Sequence, residues 1–176
     1  IPIRQSLGAW TAAEQGAMRQ GWGITYQSGG LFSAMTLAEN ITLPLELYTS
    51  YTPAEITDIV AYKLALVGLA GYQSYYPSEI SGGMQKRAAL ARAIALDPKI
   101  LFFDEPSAGL DPISSRLLDE LIVQIKESMG ATVVMVTHEL PSIFAIATNS
   151  VYLDNITRTM IAYGYPVDLR DHSPQP

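Results

Sequence analysis

The sequence feature that most constrains the fold is a short apolar run that ends in two carboxylates. Residues 100–103 are all apolar and are followed directly by Asp104 and Glu105. Such a run, without polar alternation, is typical of a strand buried on both faces of a parallel sheet. A second run, residues 132–136, is followed two residues later by His138. The chain is therefore predicted to contain parallel strands with polar residues at their ends.

Helical patterns separate the predicted strands. Thr52 can cap a helix, Pro53 suits its first position and Glu55 lies three residues after the cap. Apolar residues then recur at helical spacing until Gly68, which ends the helix. The remaining predicted elements are strands at 22–26, 100–103, 132–136, 151–153 and 159–162, and helices at 84–96, 116–129 and 141–148.

The order of these elements predicts the fold class and its division. Strands that alternate with helices indicate an α/β fold around a parallel sheet. Residues 31–97 are mostly helical and are expected to form a subdomain inserted into that sheet, although residues 31–47 show no clear helix and residues 71–80 read as a loop. Residues 1–30 and 98–167 would then form the sheet-containing core. The tail, residues 168–176, is predicted to be disordered.

The composition excludes several classes of function. The net charge of −6 argues against sequence-independent binding of nucleic acid, which depends on clustered Lys and Arg. The absence of cysteine excludes disulfides, thiol catalysis and cysteine-ligated zinc. No apolar run approaches the roughly 18–20 residues of a membrane-spanning helix, and no secretory leader is recognisable. Any membrane attachment is therefore expected to come through a partner.

Polar residues at the strand ends predict a ligand site. In open parallel sheets the ligand lies at the carboxyl ends of the strands, where Gln27, Asp104, Glu105 and His138 would meet. Asp104 could hold Mg²⁺, and Glu105 could polarise a water for attack on a phosphoryl group. His138 could bind a phosphate, and Gln27 could coordinate Mg²⁺ or the water. Taken singly, Asp104 and Glu105 are explained equally well as solvated carboxylates at a strand end. His138 alone is better explained as a helix-start histidine bonded to backbone, and Gln27 alone as polar surface.

A second candidate site precedes a helix. Ser81, Gly82 and Gly83 place a hydroxyl and bare backbone amides at the start of the predicted helix 84–96. Helix N-termini of this kind bind anions. The simpler interpretation is a serine that only caps its helix.

The order of these motifs resembles the ABC ATPase family. Gln27, the run Ile80-Ser81-Gly82-Gly83-Met84-Gln85, residues 100–105, residues 107–111 and His138 are similar to that family's Q-loop, signature motif, Walker B motif, D-loop and H-loop. The resemblance implies an incomplete P-loop NTPase-like (RecA-like) sheet with an inserted ABC helical subdomain. It also implies ATP and Mg²⁺ as cofactors.

The resemblance implies a role for each motif residue. Asp104 would hold Mg²⁺ through water, Glu105 would be the general base, and His138 would contact the γ-phosphate. Gln27 would bind at the Mg²⁺ site and couple it to the helical subdomain. The residues that would face the nucleotide of a second, head-to-tail subunit are Ser81, Gly82, Gly83 and Asp111.

Two departures from the family pattern are visible. Met84 stands where the commonest signature motif has glutamine. More severely, the phosphate-binding loop G-x-x-x-x-G-K-[ST] is absent from the 176 residues, in which no lysine follows a glycine. A truncated chain is expected, which alone would bind ATP weakly and hydrolyse it negligibly. The missing strand would expose sheet edges, and these favour dimers or swapped oligomers.

The function implied is that of an ATPase subunit bound to a membrane permease, on the cytoplasmic face of a bacterial inner membrane. Residues 26–32 and 79–96 are most similar to ATPases of Mla-type (MCE-associated) lipid-trafficking complexes. Two alternatives are a non-catalytic ABC-type interaction module and an ABC-type protein of DNA repair or translation. Exposed apolar residues between 31 and 47, such as Phe32 and Leu37, are candidates for the permease contact, unless they belong to the subdomain core.

Overall fold

The computed structural model describes residues 21–172, together with Thr11, Gly16, Met18 and Gln20. Within residues 21–172 a parallel sheet has the order β1 (Trp22–Thr25), β2 (Ile100–Asp104) and β3 (Thr132–Val136). The register pairs Thr25 with Phe103, and Asp104 with Val136. The three strands therefore end side by side, as the apolar runs predicted. The α/β class with a parallel sheet is confirmed.

Three helices lie between β1 and β2 in the chain. These are α1 (Leu37–Tyr48), α2 (Pro53–Leu66) and α3 (Gly82–Ala93), with a short 3₁₀ turn at Pro77–Glu79 before α3. The predicted capping box of α2 is present: the Thr52 N–H donates to Glu55 Oε2 at 2.7 Å, and the Glu55 N–H donates to Thr52 Oγ1 at 3.4 Å. The expectation of no clear helix in residues 31–47 was wrong, because Thr36 and Glu39 form a second capping box that begins α1.

Capping also moves the start of the long helix after β2. Helix α4 (Pro112–Met129) begins four residues before the predicted Arg116, because the Asp111 carboxylate accepts the N–H groups of Ile113 and Ser114, each at 3.0 Å. It ends at Gly130, whose φ of 62° is the left-handed conformation that favours glycine after a helix.

The last quarter of the chain differs from the prediction. Helix α5 (Leu140–Ile146) follows β3, but β4 (Ser150–Leu153) and β5 (Met160–Gly164) form an antiparallel hairpin of their own instead of joining the parallel sheet. Helix α6 (Pro166–His172) corrects the expectation of a disordered tail for residues 168–172. Residues 173–176 lie outside the described residues.

One apolar core joins the helices to the sheet. It combines side chains of α1, α2 and α3 with side chains of β2 and α4, among them Ile41, Leu64, Leu90, Leu101 and Ile122, each at most 1% exposed. At Gly23 of β1, an added Cβ would lie 2.3 Å from the carbonyl oxygen of Ala93. Only glycine therefore lets the end of α3 rest directly on β1.

The outer edge of β3 is open in the described part of the chain. No strand within residues 21–172 pairs with this edge. Val134 and Val136 are 44% and 63% exposed. The exposed edges expected from the absent phosphate-binding loop, and the oligomers expected from those edges, stay predictions. Across the same described residues, no helix combines the length and the apolar character needed to cross a membrane.

Candidate functional site

The predicted ligand residues lie at the carboxyl edge of the sheet. Asp104 is the last residue of β2 and is exposed, and Glu105 follows it. Gln27 lies two residues after β1, and His138 two residues after β3. The strand register places these ends at one edge, but only Glu105 and His138 are joined by a described hydrogen bond.

Glu105 and His138 form a close pair. Nδ1 of His138 lies 2.7 Å from Oε1 of Glu105, while the Glu105 side chain is 16% exposed and the His138 side chain 75%. The hydrogen bond to Glu105, followed by the charge of its carboxylate, raises the pKa of His138 above its ordinary value. The two side chains can therefore share a proton, and the histidine is open to solvent.

The backbone fixes where the Glu105 carboxylate points. Its φ of 46° lies in the left-handed region, which costs a non-glycine residue about 1 kcal/mol. The Glu105 N–H donates to the carbonyl of Val136 at 2.9 Å and so ties this turn to β3. Thr137 Oγ1 lies 3.4 Å from Oε2 of the same carboxylate and donates to it. Thr137 was missed from the sequence, although a hydroxyl beside His138 at the end of β3 was a usable signal.

Ser81, Gly82 and Gly83 begin α3. The Ser81 hydroxyl accepts the Met84 N–H at 3.3 Å, so the serine does cap its helix. This bond leaves the hydroxyl proton free to be donated, and the first-turn amides of Gly82 and Gly83 have no intrahelical partner. Ser81 and Gly82 are exposed. Capping and anion binding are therefore compatible at this position.

The second predicted cluster lies at the start of α4. An added Cβ at Gly83 would lie 3.8 Å from Cβ of Ser114, which places the Ser-Gly-Gly turn next to the first turn of α4. Asp111 caps that turn, and hydrogen bonds from the Ser114 side chain and backbone are the main cause that lowers the pKa of its carboxyl. Among the described residues, no hydrogen bond links this cluster to the Glu105–His138 pair. The predicted site residues thus fall into two groups within one chain.

The donor set at the sheet edge fits Mg²⁺ better than a transition metal. Asp104 and Gln27 offer a carboxylate and an amide oxygen, and oxygen ligands are what Mg²⁺ prefers. Over the residues that the structure describes, no three His, Asp or Glu side chains converge to hold a metal ion by themselves. A magnesium ion here would therefore take its other ligands from phosphate oxygens and water.

Comparison with protein families identifies the chain. The model of the ABC transporter family matches residues 4–108, more than half of the 176 residues. The chain belongs to the ABC transporter family. The motif order that suggested this membership, from Gln27 to Asp104 and Glu105, falls within the matched part, and His138 follows it.

Curated members of the ABC transporter family include near relatives. The chain is 47% identical over 130 residues to the "Probable ribonucleotide transport ATP-binding protein mkl" of Mycobacterium tuberculosis, covering 74% of this chain and 36% of that protein. It is 37% identical over 160 residues to the "Intermembrane phospholipid transport system ATP-binding protein MlaF" of Escherichia coli, covering 91% of this chain and 59% of that protein. The chain therefore spans between about a third and three-fifths of these relatives.

Solved structures share the fold. A dimeric ATP-binding cassette, MJ0796, in a post-hydrolysis state bound to ADP and Pi superposes with a TM-score of 0.77 at 26% identity, over 90% of this chain and 68% of the other. The structure of cbiO1 from Clostridium perfringens, part of the ABC transporter complex cbiONQ, gives a TM-score of 0.82 at 24% identity, over 92% of this chain and 64% of the other. At 24% identity, the second match supports the fold alone. Both support a P-loop NTPase-like α/β fold.

The two candidate residues for a permease contact, Phe32 and Leu37, differ in their exposure to solvent. Leu37 is 0% exposed and belongs to the core of α1, so it is not available to a partner and that candidate was wrong. Phe32 is 50% exposed, with the Arg92 guanidinium 5.5 Å from its ring centre. Of the two side chains, Phe32 is the one that is accessible at the surface.

Proposed function

We propose that this chain carries the hydrolytic residues of an ATPase subunit that powers a bacterial lipid transporter. The observation that carries the proposal is the Glu105–His138 pair at the mouth of β2, directly after Asp104. ABC transporter membership and the 37% identity to the MlaF phospholipid transport protein support it. A module that only binds partners would have no use for a carboxylate held in a left-handed turn beside a histidine.

The chain's own residues then divide the work of hydrolysis. ATP with Mg²⁺, when bound, supplies the phosphoryl group and the charge that draws the attacking water. Glu105 accepts the proton of that water, since its carboxylate is oriented by Thr137 and by the backbone bond to β3. His138, whose pKa is raised by Glu105, donates a hydrogen bond to a phosphate oxygen. Asp104 and Gln27 would hold the magnesium ion that accompanies the nucleotide.

The second group of residues serves a second subunit in this proposal. Ser81, Gly82 and Gly83 offer a hydroxyl and free amides on an exposed helix start. Together with Asp111 they would bind the nucleotide of a copy arranged head to tail. The separation of this cluster from Glu105 within one chain is what such an arrangement requires. Residues 31–97 would be the helical subdomain that carries it, with the permease bound on the membrane side.

Hydrolysis tests the proposal. The full-length protein that contains this chain is compared with its Glu105→Gln variant, and phosphate release is measured. Loss of the general base should lower kcat by about 100-fold or more while Mg-ATP binding persists. Glu127→Gln, which removes an exposed carboxylate on α4, is the matched control and should leave the rate unchanged. Equal rates in the wild type and the Glu105→Gln variant would refute the assignment.

The lipid substrate needs a separate experiment. The full-length protein is co-expressed with a candidate permease, and ATP hydrolysis by the complex in detergent is measured with and without added phospholipid. Phospholipid should stimulate hydrolysis, and a ribonucleotide other than ATP, such as UMP, should not. Stimulation by UMP and not by phospholipid would instead favour the substrate named for the mycobacterial relative.

A further inference from the structure

The segment between β1 and α1 is held by two cations from α3. Lys86 Nζ donates to the carbonyl oxygen of Gln27 at 2.5 Å, and Arg92 Nη1 donates to the carbonyl oxygen of Gly30 at 2.5 Å. These partners are 59 and 62 residues apart in the chain. Both side chains therefore connect α3, which is capped by Ser81, to the loop that contains Gln27.

The loop also packs directly on the helix between the two cations. Gly29 is buried, and a Cβ added to it would lie 3.6 Å from Cβ of Ala89. Lys86, Ala89 and Arg92 follow at intervals of three and so form one ridge along α3. The backbone of Gln27–Gly30 lies along that ridge, with a cation at each end.

Both cationic side chains are partly buried. Burial lowers the pKa of Arg92 from its ordinary value, and it is the larger effect on Lys86, whose pKa it also lowers while the Glu105 carboxylate opposes it. The Arg92 guanidinium also lies over the ring of Phe32. Hydrogen bonds from a charged donor in a partly desolvated setting are stronger than neutral ones. Each cation thus has a specific carbonyl partner, and Arg92 is the more shielded of the two.

We infer that Lys86 and Arg92 are positioning residues that fasten the Gln27 loop to the helix of the Ser81–Gly83 turn. The inference rests on the proposed function, because it gives that function a physical link between its two groups of residues. Gln27 belongs to the chain's own magnesium site, whereas Ser81 faces the nucleotide of the second subunit. Because the loop is tied to α3, the position of Gln27 depends on the position of Ser81.

Amide hydrogen exchange by NMR tests the link in the full-length protein that contains this chain, without any nucleotide. The reporter is the Gly29 N–H, which donates to the Tyr26 carbonyl at 2.7 Å within the loop. The reference is the Ile94 N–H at the end of α3, which donates to the Leu90 carbonyl at 3.0 Å. Lys86→Met should accelerate exchange at Gly29 by about tenfold and leave Ile94 unchanged, because only the loop is released.

Conservative and matched variants decide between positioning and general destabilisation. Lys86→Arg keeps a charged donor and should restore slow exchange at Gly29. Lys99→Met removes one exposed positive charge before β2, at the opposite end of the sheet, and should have no effect. Arg92→Met should act like Lys86→Met. The inference is overturned if Gly29 exchanges at the wild-type rate in both methionine variants, or if Ile94 accelerates as much as Gly29.

The outcome is independent of catalysis. If the Glu105→Gln experiment fails while Gly29 responds to Lys86→Met, the link is real but the proposed hydrolysis is wrong. If hydrolysis is confirmed and Gly29 does not respond, the site stands and the positioning role of Lys86 and Arg92 falls.

Discussion

The Asn40 side chain binds both backbone polar groups of Phe32: its Oδ1 accepts the Phe32 N–H at 2.8 Å, and its Nδ2 donates to the Phe32 carbonyl at 3.1 Å. Nδ2 also lies 3.2 Å from the Met35 carbonyl and 2.9 Å from the Thr36 carbonyl. Asn40 is 0% exposed, near the start of α1. One buried amide therefore shapes the whole turn that leads from the loop after β1 into α1.

Replacement of this amide should be costly. Asn40→Leu keeps the approximate volume but leaves the Phe32 N–H without its acceptor, and we expect a loss of about 2–4 kcal/mol in the free energy of unfolding. Urea denaturation followed by circular dichroism measures it. Asn149→Ala, at an exposed position before β4, is the control and should change stability by less than about 0.5 kcal/mol. A cost for Asn40→Leu as small as that of the control would show that water replaces the amide.

The Glu105–His138 pair predicts a pH effect with a definite sign. Because Glu105 raises the pKa of His138, the folded protein binds this proton more tightly than the unfolded chain does. The stabilisation is fully present below the unfolded pKa of about 6.5 and is lost as the pH rises through the higher folded value. NMR titration of the imidazole should show the His138 pKa falling in Glu105→Gln.

Assignment of that titration is simple, since the chain contains two histidines. A His172→Gln variant leaves a single imidazole signal. An unchanged pKa of His138 in Glu105→Gln would contradict the pairing, and would also remove the basis for its role beside the general base.

A buried lysine supports the junction between α2 and β2. Lys63 is 3% exposed, and its Nζ lies 2.5 Å from Oδ1 of Asp97, which itself is largely open to solvent. Asp97→Asn keeps an oxygen acceptor and tolerates the left-handed φ of 48° at this position, so it tests the charge alone. We expect a loss of about 1 kcal/mol, limited by solvent screening of Asp97.

A double-mutant cycle isolates this contact. In a Lys63→Met background the Asp97→Asn substitution should have no effect on the midpoint of urea unfolding, because no buried cation remains to be paired. An equal effect of Asp97→Asn in both backgrounds would assign it to the local turn and not to the ion pair.

The sequence predicted local features well where a short run of residues has a single physical cause for its structure. The Thr52–Glu55 capping box and the positions of β2 and β3 are examples, since a cap and an apolar run each involve a few residues. The two-sided burial expected of β3 was wrong, because Val134 and Val136 are exposed. Helix α1 was missed because Pro44 lies within it and usually marks a helix boundary, although the capping box from Thr36 to Glu39 was visible in the sequence.

Long-range contacts were beyond the reach of the sequence. Nothing in the spacing of Lys86 and Gln27 shows that a helix ridge lies against a loop 59 residues away. The same holds for the Asp119 carboxylate, which accepts the Ser142 hydroxyl at 2.7 Å between α4 and α5. By contrast, Glu105 and His138 were expected at the same edge of the sheet, because parallel strands bring their carboxyl ends together; their direct hydrogen bond was not foreseen.

The close contact between the end of α3 and β1 limits how α3 can move. Since the Ala93 carbonyl already meets the bare backbone of Gly23, α3 has no room to slide or to approach at that end. The contact can serve as a pivot, and the opposite end of the helix then moves furthest when α3 tilts. The helix has 12 residues at about 1.5 Å each, so a tilt of about 10° would move Ser81 by roughly 3 Å. A tilt of this size is enough to make or break a hydrogen bond to a phosphate.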